Sequence, residues 1–258
     1  MLRPRIIPLL LIHNRGLVKT IKFNNGKYVG DPLNAVKIFN EKEVDELTVF
    51  DIDASALGKE PNYELIQKMA AQCRMPLCYG GGIKNLRQAE KLLSYGVEKI
   101  ALSSVLAERP EIVRDIALNL GNQSVVAVLD IKKDIFGNYK MYTINGKNKT
   151  DISIHKLIDT IQNYGVGEIV LNSINHDGTG KGYDLLMVEK FIKDINVPLT
   201  IVGGAGSDQD MINLIEKFGI IGVCAGSRFV FKGKYKAVLI NYPTFEEKNS
   251  LLKSSGMN

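Results

Sequence analysis

Eight short apolar runs, each followed by an amphipathic stretch, recur along this chain, and that alternation constrains its fold more than any other feature. The candidate strands are 5–12, 47–51, 76–79, 98–102, 124–130, 168–172, 199–202 and 221–224. The candidate helices are 33–44, 62–73, 86–95, 110–118, 152–164, 185–192, 208–218 and 245–252. Short continuous aliphatic runs suit strands buried on both faces, as in parallel sheets. Pro32 and Pro110 stand where helical runs begin, a position at which the missing N–H is harmless. Strand–helix alternation implies a parallel sheet with right-handed crossovers. Eight such pairs in 258 residues favour closure into a (β/α)8 TIM barrel over an open sheet. No linker or low-complexity segment interrupts the pattern, so one α/β domain spanning 1–258 is expected.

The second half repeats the first. Arg5–His13 is echoed by Val126–Lys132, Val49–Asp53 by Val170–Asn175, and Gly80–Ile83 by Gly203–Gly206, in the same order and at nearly constant offset. This predicts two fused half-barrels. One position breaks the symmetry: where the second half carries Asp130, the first carries Leu11.

Two stretches fall outside simple alternation. Leu17–Phe23 and Lys27–Val29 flank Asn24-Asn25-Gly26, which reads as a hairpin turn, and Tyr139–Ile144 runs into a second such signal, Asn145-Gly146. Each follows the first strand of a half, so both are expected as insertions at strand C-termini, where barrel active sites lie.

The chain is 45% hydrophobic and 24% charged, in the range of ordinary soluble domains. No apolar run approaches the ~20 residues of a membrane span. No signal peptide is read at the N-terminus. Cys73, Cys78 and Cys224 have no ligand spacing and fit free thiols in a reducing cytoplasm. The net charge of +5 is scattered, with its clearest cluster at Lys232-Gly233-Lys234-Tyr235-Lys236. That is no basic stripe of the kind nucleic acid needs, whereas an anionic small molecule or an acidic partner suits it.

Glycines after a parallel strand let backbone N–H groups approach an anion at a helix N-terminus. Gly80, Gly81 and Gly82 with Ser103 and Ser104 form one candidate phosphate cradle; Gly203, Gly204 and Gly206 with Gly226 and Ser227 form a second. Two facing cradles suit a ligand with phosphate at both ends. Asp51, Asp130 and Asp177 fall at or after strand ends on the same face, Asp177 in a Gly-rich loop with Gly178 that reads as mobile. Twofold symmetry places an acid–base pair at the ends of strands 1 and 5, and Leu11 cannot move a proton. His13, two residues on, is a weak substitute expected on the same strand face, and His155 reads as a surface residue. No cluster has metal-ligand spacing and no cofactor is expected. At the opposite strand ends, Arg5, Glu46, Lys99 and Glu168 are placed to meet as a ring of two cations and two anions.

These features together resemble the cyclase subunit of imidazole glycerol phosphate synthase. The resemblance rests on Arg5-Ile6-Ile7-Pro8, Gly30-Asp31-Pro32, Asp45-Glu46-Leu47, Asp51-Ile52-Asp53-Ala54-Ser55, Gly80-Gly81-Gly82-Ile83, Asp130, Asp177-Gly178-Thr179 with Gly182-Tyr183-Asp184, and Gly203-Gly204-Ala205-Gly206. It implies a barrel that docks a glutaminase on its N-terminal face and passes ammonia through its interior to a bis-phosphate intermediate. Arg5, Glu46, Lys99 and Glu168 match that family's charged gate. The family's two catalytic aspartates fall at Leu11 and Asp130, its Asn-Thr pair at Ser103-Ser104, and Phe229–Pro243 is unlike a histidine-pathway cyclase. The departures resemble a paralogous branch found with surface-polysaccharide genes, whose implied role is to supply ammonia to a separate sugar amidotransferase. An authentic cyclase and a non-catalytic scaffold stay open beside that reading.

Overall fold

The computed structural model describes residues 3–254; the two ends of the expected 1–258 domain lie outside the described residues. Its parallel strands are β1 (Arg5–His13), β2 (Leu47–Asp51), β3 (Leu77–Gly80), β4 (Lys99–Leu102), β5 (Val125–Lys133), β6 (Glu168–Ser173), β7 (Leu199–Val202) and β8 (Gly222–Ala225). Each pairs with its successor, and β8 returns to β1 from Arg5↔Gly222 to Pro8↔Ala225, so the barrel is closed. The helices α1 (Pro32–Glu41), α2 (Tyr63–Ala70), α3 (Leu86–Ser94), α4 (Ile112–Leu120), α5 (Ile154–Asn163), α6 (Leu185–Phe191), α7 (Asp208–Phe218) and α8 (Phe245–Ser254) alternate with them. Side-chain caps mark most helix starts: Asp31 accepts from Asn34 N–H at 2.9 Å, and Ser207 and Asp210 form a reciprocal capping box on α7.

The pleat of each strand sorts its residues between two cores. Ile6, Leu10 and Ile12 of β1 and Ala127, Leu129 and Ile131 of β5 face the helices. Ile7 and Leu9, with Val126 and Val128, face the barrel axis, where they meet Cys78, Ala101, Val170, Val202 and Cys224. Leu11 and Phe50 pack partly buried against that axial layer. The same alternation brings the side chains of Arg5 and Asp130 to opposite ends of the axis.

The chain folds back after β1 and again after β5. The first insertion is a hairpin of Gly16–Ile21 and Asn24–Gly30, joined to β1 by antiparallel pairs from Leu11↔Val18 to His13↔Gly16. Its turn is not Asn24-Asn25-Gly26. Ile21 pairs with Asn24, and the two-residue loop is Lys22-Phe23, both at positive φ (52° and 62°). A side chain resists that conformation, and tertiary contact overrides the local preference. Lys22 N–H donates to the Asp177 carbonyl at 2.9 Å and Phe23 N–H to its carboxylate at 3.2 Å. Asn25 instead occupies an irregularity within the second arm, at φ 53°. The second insertion, Tyr139–Thr143 with Asn148–Lys149, does turn at Ile144-Asn145-Gly146, all at positive φ.

The C-terminal segment is fastened by Tyr242, whose hydroxyl donates to the Ile6 carbonyl at 2.8 Å and accepts from Asp45 N–H at 3.3 Å, its ring resting on buried Phe229. Tyr242→Phe leaves both backbone groups without this partner. We expect a loss of roughly 1–3 kcal/mol in urea unfolding, with the far-UV spectrum unchanged.

Candidate functional site

At the C-terminal ends of the strands lies one open cavity of about 1250 Å³ counted out to its mouth. Leu11, Asp51, Gly81, Gly82, Ser103, Ser104, Asp130, Asp177, Gly178, Gly203, Gly204, Gly226 and Ser227 all line it. His13 is not there. It is exposed beyond the barrel rim, Nδ1 lying 2.7 Å from Asp53 Oδ1, because β1 continues into the hairpin and carries the ring away from the cavity. His155 is likewise exposed and paired with Asp194 on the helical layer. Among the described residues, no group of His, Cys, Asp or Glu is arranged for a metal ion, and no helix is long and apolar enough to cross a membrane.

Asp130 accepts from Ser103 Oγ at 3.0 Å and from Asn172 Nδ2 at 2.8 Å. Burial pushes its carboxyl up to about 6, against the lowering effect of these two donors. Its symmetry mate, Leu11, pairs across β2 with Phe50 and lies half-buried on the axial layer, so the opposing wall is apolar. Asp51 is committed locally: it caps the short helix Ile52–Ala56, accepting from Asp53 and Ala54 N–H at 2.9 and 3.0 Å. Asp177 also takes a structural part. It accepts from Thr20 Oγ1 at 2.8 Å and fastens the tip of the first hairpin over the cavity, so the loop read as mobile is pinned.

The glycine runs have a packing reason of their own. Gly81 and Gly204 sit at φ 130° and 115°, and a Cβ would drive into the Asp51 and Gly182 carbonyls respectively. Ser104 Oγ accepts from Ile144 N–H at 3.0 Å, which seats the second hairpin's turn on the end of β4.

Lys19, not singled out by its motif context, is the chief addition. Only 5% exposed, it reaches from the first hairpin to donate to the Leu9 carbonyl, and its ammonium lies against Gly226. Burial pushes it down to about 8, with Asp177 acting in the opposite sense. It puts a cation beside the second glycine cradle. Its one sequence signal is a lysine inside the apolar arm Leu17–Ile21. Asn172 was within reach of the same reasoning, being the inward residue of β6 opposite Asp130.

At the other end of the axis, Arg5, Glu46, Lys99 and Glu168 interlock. Arg5 donates to Glu46 at 2.5 Å and to Glu168 at 2.7 Å; Lys99 donates to the same two at 2.7 and 2.9 Å. Thr200 Oγ1 adds a hydrogen bond to Glu168 at 2.5 Å, in space that only glycine at 222 leaves open. Burial opposes the charge on Glu168, yet Lys99 and Arg5 outweigh it and hold the carboxyl below its ordinary value. The ring carries no net charge, and removing any one member leaves one uncompensated charge among the remaining three.

The model of the family described as "Histidine biosynthesis protein" matches residues 5–236. A Vibrio vulnificus (strain YJ016) chain, provisionally named imidazole glycerol phosphate synthase subunit hisF3, is 57% identical over 254 residues, covering 98% of both chains. The provisionally named subunit hisF2 of Pseudomonas aeruginosa is 50% identical over 243 residues, covering 94% of this chain and 97% of its own. The imidazole glycerol phosphate synthase subunit HisF of Streptococcus sanguinis is 34% identical over 229 residues, covering 89% and 91%.

Because the folded state raises the pKa of Asp130, its stabilising contribution is complete below pH about 4 and is lost as pH rises through about 6. Asp130→Asn, neutral throughout, is therefore expected to exceed the parent in stability by roughly 1–2 kcal/mol near pH 8, the shift being discounted for the open cavity. The gap closes near pH 4. Urea titrations across that range check the sign, and a gap independent of pH would show that the carboxylate's charge is not responsible.

Proposed function

The chain belongs to the histidine biosynthesis protein family, in its HisF-like group of imidazole glycerol phosphate synthase cyclase subunits, and from that premise we propose that it conducts ammonia without cyclising a substrate. A glutaminase subunit docks on the N-terminal face, as the family's partner does. Ammonia released there enters past Arg5, Glu46, Lys99 and Glu168, crosses the axial layer and emerges at Asp130. A separate sugar amidotransferase uses it to convert the N-acetyl group of a nucleotide sugar to an acetamidino group. The complex works in the cytoplasm, and the glycine cradles with Lys19 retain affinity for a phosphorylated small molecule.

The observation that carries the reading is Leu11. Cyclisation in this fold calls for two proton-transfer groups facing each other, and Asp130 faces Leu11 and Phe50. Losing one such group typically costs on the order of 10²–10⁴-fold in rate. His13 cannot compensate, since it is bound to Asp53 outside the cavity. The identities of 57% and 50% to the provisionally named subunits, against 34% to HisF of Streptococcus sanguinis, support placement in a separate branch. The intact ring argues against a mere scaffold, which needs no such device.

Purified protein given ammonium and the bis-phosphate cyclase substrate should show no turnover by product chromatography. Appreciable turnover would falsify the reading in favour of an authentic cyclase. Leu11→Asp should introduce measurable cyclisation if the rest of the cavity is competent. Lys99→Glu should abolish glutamine-dependent amidation in the reconstituted complex while leaving ammonium-dependent amidation near the parent rate; equal glutamine-dependent rates would remove the ring from the ammonia route.

A further inference from the structure

Residues 14–30 and 227–244 contain no aspartate or glutamate. The first segment forms the hairpin over the cavity. The second leaves β8 through the short helix Ser227–Val230 and forms an antiparallel pair of arms, Phe231–Lys232 and Ala237–Val238. Both follow strand C-termini, so both stand on the face opposite the charged ring. They touch: Lys27 Nζ donates to the Lys236 carbonyl at 3.1 Å and lies 5.1 Å from the centre of the Phe231 ring. The two segments therefore make one continuous ridge.

Its surface is unusual in three respects. Lys27, Lys232, Lys234 and Lys236 are exposed, and none of them has an ion-pair partner among the described residues. Arg228, by contrast, is already matched with Asp208 at 2.7 Å. Large side chains stand out among the lysines: Tyr235 is 89% exposed, Tyr28 65%, Leu239 51% and Val238 46%. The ridge also stands apart from the cavity, since none of these exposed residues lines it.

We propose that this ridge docks a protein whose facing surface is acidic. Unneutralised lysines around exposed tyrosine and aliphatic groups match the make-up of interface centres, where aromatic anchors carry the energy and charge selects the partner. Val238 and Leu239 favour a protein over nucleic acid, which offers no aliphatic pocket to receive them. A small anion would be poorly held on a projecting hairpin. Taken with the ammonia-delivery reading, on which this assignment of partner rests, the docked protein is the ammonia acceptor. Its seat then includes the hairpin that carries Lys19 and lies over the cavity of Asp130, so the acceptor sits where the ammonia emerges.

The test introduces the photoreactive residue p-benzoylphenylalanine at Tyr235 of the full chain, expressed in its own cells. We expect a cross-link to one protein. That protein, purified, should bind the unmodified chain with affinity falling about tenfold or more as salt rises from about 0.01 to about 0.15 M. The triple variant K232E/K234E/K236E should weaken it again by about tenfold or more. The control Lys68→Glu on α2 should bind as the parent does, and the glutaminase should bind all variants alike. Cross-links only to nucleic acid, only to the glutaminase, or to nothing would overturn the proposal, as would full-strength binding by the triple variant. Binding that behaves as expected without any glutamine-dependent amidation counts against ammonia delivery alone; amidation that survives the triple variant unchanged counts against the ridge alone.

Discussion

The two-residue period of a strand, imposed on a closed ring of eight, governs everything functional in this molecule. Once Ile7 faces the axis, Arg5 must face it below and Leu9 and Leu11 above. The same holds on β5 for Val126, Val128 and Asp130, and on β6 for Glu168, Val170 and Asn172. Residues far apart in sequence thus become layers: a charged ring, an apolar plug and a polar floor. A one-residue slip in any strand would turn its axial members out among the helices and break all three layers at once.

Within that frame the two halves have diverged most at their ends. Both cradles keep glycines, which the packing against Asp51 and Gly182 would enforce even with no ligand. Both hairpins persist, one pinned by Asp177 and the other by Ser104. The two halves differ in the axial groups that line the floor, Leu11 in one and Asp130 in the other. The retained Asp130 is itself perturbed: burial raises its pKa while Ser103 and Asn172 pull the other way. Asp130 is therefore a titratable group on one side of the floor, and Leu11 opposite it is not.

Most of the architecture was legible because it rests on periodicity. Aliphatic runs, amphipathic stretches and prolines at helix starts placed the barrel strands and helices to within a few residues, and the inward positions followed from counting in twos. The ring was legible for the same reason, since Arg5, Glu46, Lys99 and Glu168 all stand at strand starts. The failures are tertiary. Asn24-Asn25-Gly26 has better turn chemistry than Lys22-Phe23, but only the latter meets Asp177. His13 seemed to share a face with Leu11, yet Asp53 holds it outside. Lys19 is invisible to motif reasoning because its importance comes from a hairpin that folds over a distant glycine.

The apolar plug has a consequence for protonation. Between the ring and the floor, the axis is lined mainly by Ile7, Cys78, Val126, Val170, Val202 and Cys224, with buried Thr48 and Thr200 beside them and Glu46 and Glu168 at the ring end. Burial pushes both thiols up, so neither Cys78 nor Cys224 supplies a counter-charge. A neutral molecule the size of water would cross such a layer for the loss of a few hydrogen bonds, whereas a cation would forfeit far more hydration than two threonine hydroxyls return. On the ammonia-delivery reading proposed above, ammonia crosses this layer as the neutral molecule.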